Sequence, residues 1–191
     1  MGKEYRNSSR TRRVIKKTFL DLLSEKDIGH ISIVDIVNAA DISRNTFYYH
    51  YEDIAALQTE IDTDVYRTYN YYFNHIFENY KKVPLQALFL HVCNVLMGDL
   101  EVSSILKSPQ TSTECVKQME QLALKKIEKN MQEIPPENKT EFMAYMEYAV
   151  CASFRMLQRY AMGDTNLTME QIADVMAGSF LAGIQIHKQK K

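Results

Sequence analysis

The chain has 191 residues, 46% hydrophobic and 25% charged, which excludes disorder and fits a soluble globular protein. Its net charge of −1 is uneven: seven Lys or Arg residues stand against one Glu up to Lys17, whereas fourteen stand against eighteen acids after Tyr51. No apolar run reaches the roughly 20 residues of a membrane span, the polar N-terminus is unlike a secretory signal, and three scattered cysteines fit no disulfide framework. We expect a cytoplasmic protein, without membrane contact, whose basic end meets a polyanion, although a solvated basic tail would look the same.

The first 50 residues predict three helices separated by short breaks. Apolar residues recur at helical spacing over residues 9–26, with polar residues opposite. Ser32 is the expected N-cap of a short second helix, and Ser43 is placed to cap a third over residues 43–50. Residues 41–42 are expected to form the tight turn between these two helices.

The remainder of the chain predicts long helices and contains no alternating strand pattern. Asp53 is expected to cap a fourth helix over residues 54–80, and Pro84 fits the first turn of a fifth that ends near Met97. The pattern blurs beyond Gly98, and a break is expected at Ser108-Pro109. Three further helices are expected over residues 113–132, 138–162 and 168–187. The fold class is therefore all-α, with about nine helices, a small N-terminal unit and a larger remainder.

Residues 32–50 have the form of a helix-turn-helix, in which two short helices and a tight turn are held together by apolar positions. In such a unit the second helix lies in the major groove, where Arg can fork onto guanine and Asn onto adenine, while hydroxyl groups suit phosphates. A helical hairpin used only for packing is the alternative, but the turn, the caps and the aromatic triplet together favour DNA binding. The polar residues that the second helix offers are Ser43, Arg44, Asn45, Thr46, Tyr48, Tyr49 and His50.

The stretch from residue 31 to residue 51, ISIVDIVNAADISRNTFYYHY, resembles the DNA-binding signature of TetR-type transcriptional regulators, and TFYYHY is its most specific part. The match spans roughly residues 9–60, and the length and helix order also fit the family. The resemblance implies a DNA-binding domain at residues 1–52 and a dimerisation and effector domain at residues 53–191. It also implies a role for each residue of the motif: phosphate contact by Ser32, base reading by Ser43, Arg44, Asn45 and Thr46, and contacts to backbone and adjoining bases by Tyr48, Tyr49 and His50.

Several positions depart from the pattern of that family. Ile54 stands where a phosphate-binding Lys commonly opens the fourth helix, and Val34 stands where a basic or polar residue is frequent. Asp41 replaces the usual turn glycine, although Asp tolerates a left-handed conformation nearly as well. Glu52 and Asp53 add negative charge near the DNA side. We therefore expect DNA binding that is weaker than usual or depends more on the basic arm.

Two C-terminal segments carry stripes of small and apolar residues suited to a dimer face. Small residues permit close helix approach, and antiparallel pairs from two subunits would give a four-helix bundle. Ordinary core within one chain is the alternative. The first stripe is Tyr145, Ala149, Ala152, Ser153 and Met156, and the second is Ala173, Met176, Ala177, Phe180 and Ile184.

The fourth and fifth helices are rich in aromatic and sulfur-containing residues, which favour a pocket for a small apolar or aromatic effector. Plain core is again the alternative reading. Arg155 is placed either to meet a carboxylate effector or to pair with an acid of the chain. The candidate pocket residues are Tyr69, Tyr72, Phe73, Phe89, Cys93, Met97, Tyr148 and Arg155.

The sequence offers no phosphate loop, nucleophile elbow or metal-ligand cluster, so neither an enzyme nor a cofactor is expected. The resemblance implies a homodimeric repressor that binds palindromic operator DNA and is released by an effector. The alternative is an activator or co-regulator controlled by a protein partner, in which core side chains fill the pocket. A closed void larger than a few waters would favour the small effector. A non-specific DNA binder would need basic charge beyond one end.

Overall fold

The computed structural model describes residues 2–79, 82–107, 112–131 and 134–189. Within those residues the chain forms nine α-helices, two short 3₁₀ helices at Ile28–His30 and Pro136–Asn138, and no strand, which confirms the predicted all-α class. The α-helices are α1 (Gly2–Glu25), α2 (Ile33–Ala39), α3 (Arg44–His50), α4 (Ile54–Asn79), α5 (Leu85–Gly98), α6 (Leu100–Lys107), α7 (Ser112–Asn130), α8 (Lys139–Met162) and α9 (Met169–Gln189).

Two of the described helices differ clearly from the sequence-based expectation. Helix α1 begins at Gly2 instead of Ser9, and α6 was not predicted at all. The expected break at Ser108-Pro109 lies outside the described residues. So do the expected helix ends at Tyr80 and Gln132.

The three N-terminal helices pack around a small apolar core. Ile15 and Phe19 of α1, Ile36 of α2 and Phe47 of α3 are completely buried. Helix α1 contacts both α2 and α6, so this unit is packed against the rest of the chain as well as joined to it through α4.

The remaining helices form a layered bundle in which α9 packs on α5 and α8, and α7 packs on α4 and α8. The approach of α9 to α8 is close at Gly183, where a Cβ atom would lie 2.2 Å from Cε of Met146 and 2.6 Å from the ring of Tyr145. None of the described helices is by itself long and apolar enough to cross a bilayer, and α5 and α6 meet that test only together, across an 88° bend.

Candidate DNA-binding surface and interior cavities

Helix α2 begins with a complete capping box. The Ser32 hydroxyl accepts a hydrogen bond from the Asp35 backbone N–H at 3.2 Å, and the Asp35 carboxylate accepts one from the Ser32 N–H at 2.8 Å. The Ser32 hydroxyl also donates to the same carboxylate at 2.7 Å, and Lys26 lies 3.2 Å from it. The two bonds from Ser32, together with Lys26, lower the pKa of Asp35 to about 2. Ser32 therefore positions the start of the motif.

The turn between α2 and α3 depends on a left-handed residue. Asp41 has φ 51°, and the N–H of Ile42 donates to the carbonyl of Val37 at 3.0 Å, while the N–H of Asp41 donates to that of Asn38 at 3.3 Å. This is the Schellman arrangement, in which the residue after the cap usually is Gly. Asp41 therefore fulfils the role expected from the sequence.

Helix α3 has one buried side and one exposed side. Ser43 caps it by accepting the Thr46 N–H at 3.0 Å, and Phe47 anchors it, with 0% of its surface exposed. Tyr48 and Tyr49 are 55% and 77% exposed, although aromatic side chains are usually buried. Ser43, Arg44 and Asn45 are also exposed, whereas Thr46 and His50 are half-buried. We call Arg44, Asn45, Tyr48 and Tyr49 the reading surface.

The C-terminal end of α3 is held by contacts that the sequence analysis did not predict. The Arg12 guanidinium of α1 lies 5.4 Å from the ring centre of Tyr51 and donates to Glu60 of α4 at 2.7 Å. Asp53 caps α4 by accepting the Ala56 N–H at 2.7 Å. Residues 48 apart in sequence meet here, so no local pattern could have indicated the Arg12 contacts.

The electrostatics of this end favour a neutral His50. Burial lowers the pKa of His50, and the Arg12 charge lowers it further. Its ring lies 5.0 Å from that of Tyr49 in an edge contact, so His50 supports the exposed Tyr49 ring as well as offering its own nitrogens.

The stripes expected to form a dimer face lie largely inside the chain, which corrects that prediction. On α8, Ala149 and Ser153 are buried, and only Tyr145, Ala152 and Met156 remain half-exposed. On α9 the second stripe is also buried except for Ile184. The buried members are Ala173, Met176, Ala177 and Phe180. The exposed apolar residues of α8 and α9 are different ones, including Tyr148, Val175, Leu181 and Ile186.

The described part of the chain encloses two small adjoining cavities between α4, α5 and the helices α7–α9, with volumes of about 40 and 30 Å³. Only apolar atoms form their accessible walls. Four residues line both cavities and so separate them. They are Phe73, Ile76, Phe89 and Phe180.

Four of the eight predicted pocket residues line the larger cavity: Tyr69, Phe73, Phe89 and Cys93. The other four do not. Tyr72 faces an open surface groove, Met97 is half-buried outside the lining, and Tyr148 and Arg155 are exposed on α8. Sequence reasoning instead missed Ser153, Met176 and Phe180, which it had assigned to the dimer face. Half of the predicted pocket residues therefore line the larger cavity and half lie away from it.

These elements define a helix-turn-helix protein in which the motif opens an all-helical chain. Solved structures identify the fold more closely. The chain is similar to a TetR/AcrR-family transcriptional regulator from Aquifex aeolicus VF5, with TM-score 0.65 and 20% identity over 90% of this chain and 98% of that one. It is also similar to a TetR regulator from Streptococcus agalactiae 2603V, with TM-score 0.59 and 18% identity over 93% and 97%.

A third similar structure is the dihydroxyacetone kinase operon activator DhaS, with TM-score 0.58 and 19% identity over 93% of this chain and 97% of that one. No protein-family profile matches the chain, and no curated protein sequence matches it significantly. The chain therefore has the TetR fold that its motif predicted.

Proposed function

We propose that the chain is a cytoplasmic, homodimeric transcriptional repressor that binds palindromic operator DNA. In this proposal residues 1–52 form the DNA-binding domain and residues 53–191 form the dimerisation and effector domain. The observation that carries it is the reading surface, since α3 exposes Arg44, Asn45, Tyr48 and Tyr49 on one side while Phe47 fixes the other side in the core. Arg and Asn are the side chains that bind guanine and adenine bidentately.

Phosphate contacts would add affinity that does not depend on sequence. Arg10 and Arg13 are exposed on α1, at the basic end of the chain. The exposed Tyr hydroxyls can donate to phosphate oxygens, and the Ser32 hydroxyl can do so when its proton leaves Asp35. The first residue of α4 is Ile54, which is uncharged and half-buried against the core, so this position supplies no cation for a phosphate.

The test is binding to short labelled duplexes that tile the DNA upstream of the chain's own coding region. Loss of a bidentate base contact costs about 1–3 kcal/mol, so an Arg44→Ala, Tyr49→Ala double variant should bind its best duplex about 100-fold more weakly. The matched control is a Lys125→Ala, Tyr71→Ala double variant, because Lys125 on α7 and Tyr71 on α4 are exposed away from α3. Equal binding by the α3 variant and the wild type would show that the reading helix is assigned wrongly.

Dimerisation is proposed through the outer faces of α8 and α9. These two helices pack side by side, and their solvent sides expose apolar groups, with Tyr148 73%, Val175 49%, Leu181 45% and Ile186 47% exposed. Exposed apolar patches of this kind commonly mark interfaces between proteins. A second copy would cover the exposed apolar side chains of both helices. The dimer would then hold two reading surfaces on one duplex.

Light scattering after gel filtration tests the dimer. The wild type should elute at twice the chain mass, and Tyr148→Glu should elute as a monomer because a buried carboxylate would lack a partner. Tyr71→Glu is the control, since Tyr71 is 69% exposed on α4. A Tyr148→Glu protein that stays dimeric would place the interface elsewhere.

The adjoining cavities are the proposed effector site, and their walls suit an uncharged apolar or aromatic molecule. Pockets for drug-sized ligands measure about 300–1,000 Å³, so such an effector has to move the separating side chains apart. Phe89 and Phe180, whose ring centres are 5.2 Å apart, are the pair that would separate. Movement of α5 and α4 would then change the distance between the two α3 helices.

Control by a protein partner is the second candidate, and the size of the cavities favours it. A water needs a cavity of about 10–15 Å³, so the larger void holds only a few waters. This candidate also includes activation of transcription, and one neighbour of the same fold is named an operon activator.

A cavity-filling substitution separates the two candidates. Ala123→Leu would fill the larger cavity, and Ala87→Leu on the exposed side of α5 is its control. If uncharged aromatic or alkyl compounds release the wild type from its duplex, Ala123→Leu should abolish release and Ala87→Leu should not. Release that is unaffected by Ala123→Leu would remove the cavities from the mechanism.

A further inference from the structure

One lysine joins three helices at the boundary between the DNA-binding unit and the rest of the chain. The ammonium nitrogen Nζ of Lys16, on α1, lies 2.8 Å from Oδ2 of Asp64 on α4 and 2.6 Å from Oε1 of Glu101 on α6. We call these three residues the Lys16 junction. Its side chains are 14%, 29% and 24% exposed, so the junction is largely shielded from solvent.

Shielding makes this junction different from an ordinary surface ion pair. Burial by itself would lower the pKa of Lys16, but its hydrogen bonds to Asp64 and Glu101 more than offset burial and raise the pKa above the ordinary value of 10.5. Lys16 is therefore charged at every physiological pH. Charge-assisted hydrogen bonds are shorter and stronger than neutral ones, and removing one partner from a shielded pair leaves a charge without compensation.

The junction also restricts the orientation of α1. Arg12, one turn earlier on α1, pairs with Glu60, one turn earlier on α4, so two ion-pair rungs join α1 to α4. The Arg12 rung is more exposed, at 46% for the Arg12 side chain, and its other contact is the ring of Tyr51 at the end of α3, inside the DNA-binding unit. The Lys16 rung instead joins α1 to α6 as well as to α4. Two non-parallel attachments restrict both the tilt and the rotation of α1.

The attachment on α6 is itself rigid. Asp99 caps that helix by accepting the N–H groups of Glu101 and Val102, both at 3.0 Å. Val102, Ile105 and Leu106 bury its inner side. Helix α6 meets α5 at an 88° bend, and α5 contributes Phe89 and Cys93 to the larger cavity. Glu101 therefore presents a carboxylate at a defined place between the cavity wall and α1.

We propose that Lys16 is a positioning residue for operator recognition: it fixes the angle of the DNA-binding unit against α4 and α6 and thereby sets the half-site spacing that the dimer accepts. Lys16 acts through the orientation of α3 and does not read DNA itself. The inference rests on the proposed operator-binding dimer. Each added base pair turns the second half-site by roughly 35° around the duplex, so a small change in angle changes which spacing fits.

The experiment measures spacing selectivity with the full-length protein. The half-site selected by the wild type is placed in palindromic duplexes whose spacers differ by one or two base pairs, and in a duplex with a single half-site. The wild type should lose at least about tenfold in affinity two base pairs from its best spacing. Lys16→Met should reduce that loss to about threefold or less, while binding to the single half-site stays within about twofold of wild type.

Two further variants separate orientation from direct charge on DNA. Lys17→Met removes the same charge from the next, exposed residue, so it should leave the spacing profile as in the wild type. Glu101→Gln lies on α6 and makes the protein less acidic, yet it should flatten the profile as Lys16→Met does. The double variant should add nothing to either single one, because both break the same junction. Circular dichroism establishes that each variant is folded, and Glu101→Gln carries the test if Lys16→Met does not fold.

Two outcomes would overturn the inference. One is a spacing profile that Lys16→Met and Glu101→Gln leave unchanged. The other is a uniform loss over all duplexes, including the single half-site, in Lys16→Met alone, which would make Lys16 a phosphate contact. A wild type that binds no paired half-site at all would instead refute the operator-binding dimer, so failure of the proposed function is recognisable separately.

Discussion

Asp62 on α4 provides the sharpest test of the energetics of this fold. Among the described residues, none donates a hydrogen bond to its buried oxygen Oδ1. Burial raises the pKa of Asp62 from the ordinary 3.8 to about 6. The folded chain therefore holds the proton more tightly than the unfolded chain, so stability falls as the pH rises from about 4 to about 6 and stays reduced above that range.

A pKa that moves from 3.8 to about 6 corresponds to about 3 kcal/mol of lost stability at neutral pH. Because Asp62 is only half-buried, solvent screening reduces this to about 1–1.5 kcal/mol. Asp62→Asn removes the charge and keeps the shape, so it should stabilise the fold by that amount at pH 7.5. At pH 5 the gain should be about half as large, because much of the wild type is then protonated in the folded state.

The assay is urea unfolding followed by circular dichroism at both pH values and at one chain concentration, since a dimer's stability depends on concentration. Asp64→Asn is the matched control: the same chemical change two residues away removes the negative charge that pairs with Lys16 and Arg67 and should destabilise the fold by about 1.5–3 kcal/mol. A stabilisation by Asp62→Asn that does not change with pH, or no stabilisation at pH 7.5, would refute the burial argument.

Two further predictions concern the helix-turn-helix. Phe47→Ala should lower the free energy of unfolding in urea by about 3–5 kcal/mol, because Phe47 is completely buried. Tyr49→Ala should change it by less than about 0.5 kcal/mol, because Tyr49 is exposed. Similar losses in the two variants would contradict the description of α3 as having one buried and one exposed side. Asp41→Ala should lower the thermal midpoint by an amount equivalent to about 1 kcal/mol, because φ at Asp41 is 51° and Ala disfavours that left-handed conformation. Asp41→Gly should not lower it. An unchanged midpoint for Asp41→Ala would show that the left-handed turn costs nothing.

The DNA-binding motif was predictable from the sequence because its signals are local. Ser32, Ser43 and Asp53 each cap the helix that directly follows them, and Asp41 takes the left-handed turn within two residues of the helix it ends. Such interactions join residues three to five positions apart. The fold class followed from the same local signals.

Helix α6 was missed because its pattern is short. It has eight residues, and its buried stripe of Val102, Ile105 and Leu106 makes only one helical repeat. The start of α1 was placed too late for a related reason, since Tyr5 is the one hydrophobic residue that positions 2–8 add to the periodic pattern. The Lys16 junction joins residues that are far apart in sequence, so no pattern within one segment indicates it.

The errors on α8 have a single physical cause. Tyr148 was assigned to the pocket and is exposed, while its neighbour Ala149 was assigned to the dimer face and is buried. Likewise Arg155 was assigned to the pocket and is exposed, while Ser153 lines the larger cavity. Adjacent residues on a helix point about 100° apart, so both assignments depend on how the helix is rotated about its own axis.

Periodicity could not fix that rotation, because α8 carries two apolar stripes. One includes Ala149 and Ser153, and the other includes Tyr148 and Cys151. Which stripe faces inward is decided by the helices that α8 meets, namely α6, α7 and α9. With Gly183 of α9 against Tyr145 and Met146, the small residues Ala149 and Ser153 are buried and the larger Tyr148 is left outside. The stripe of Ala149 and Ser153, which was expected to lie between two copies, is therefore buried within one chain. The proposed dimer depends instead on the exposed stripe that includes Tyr148.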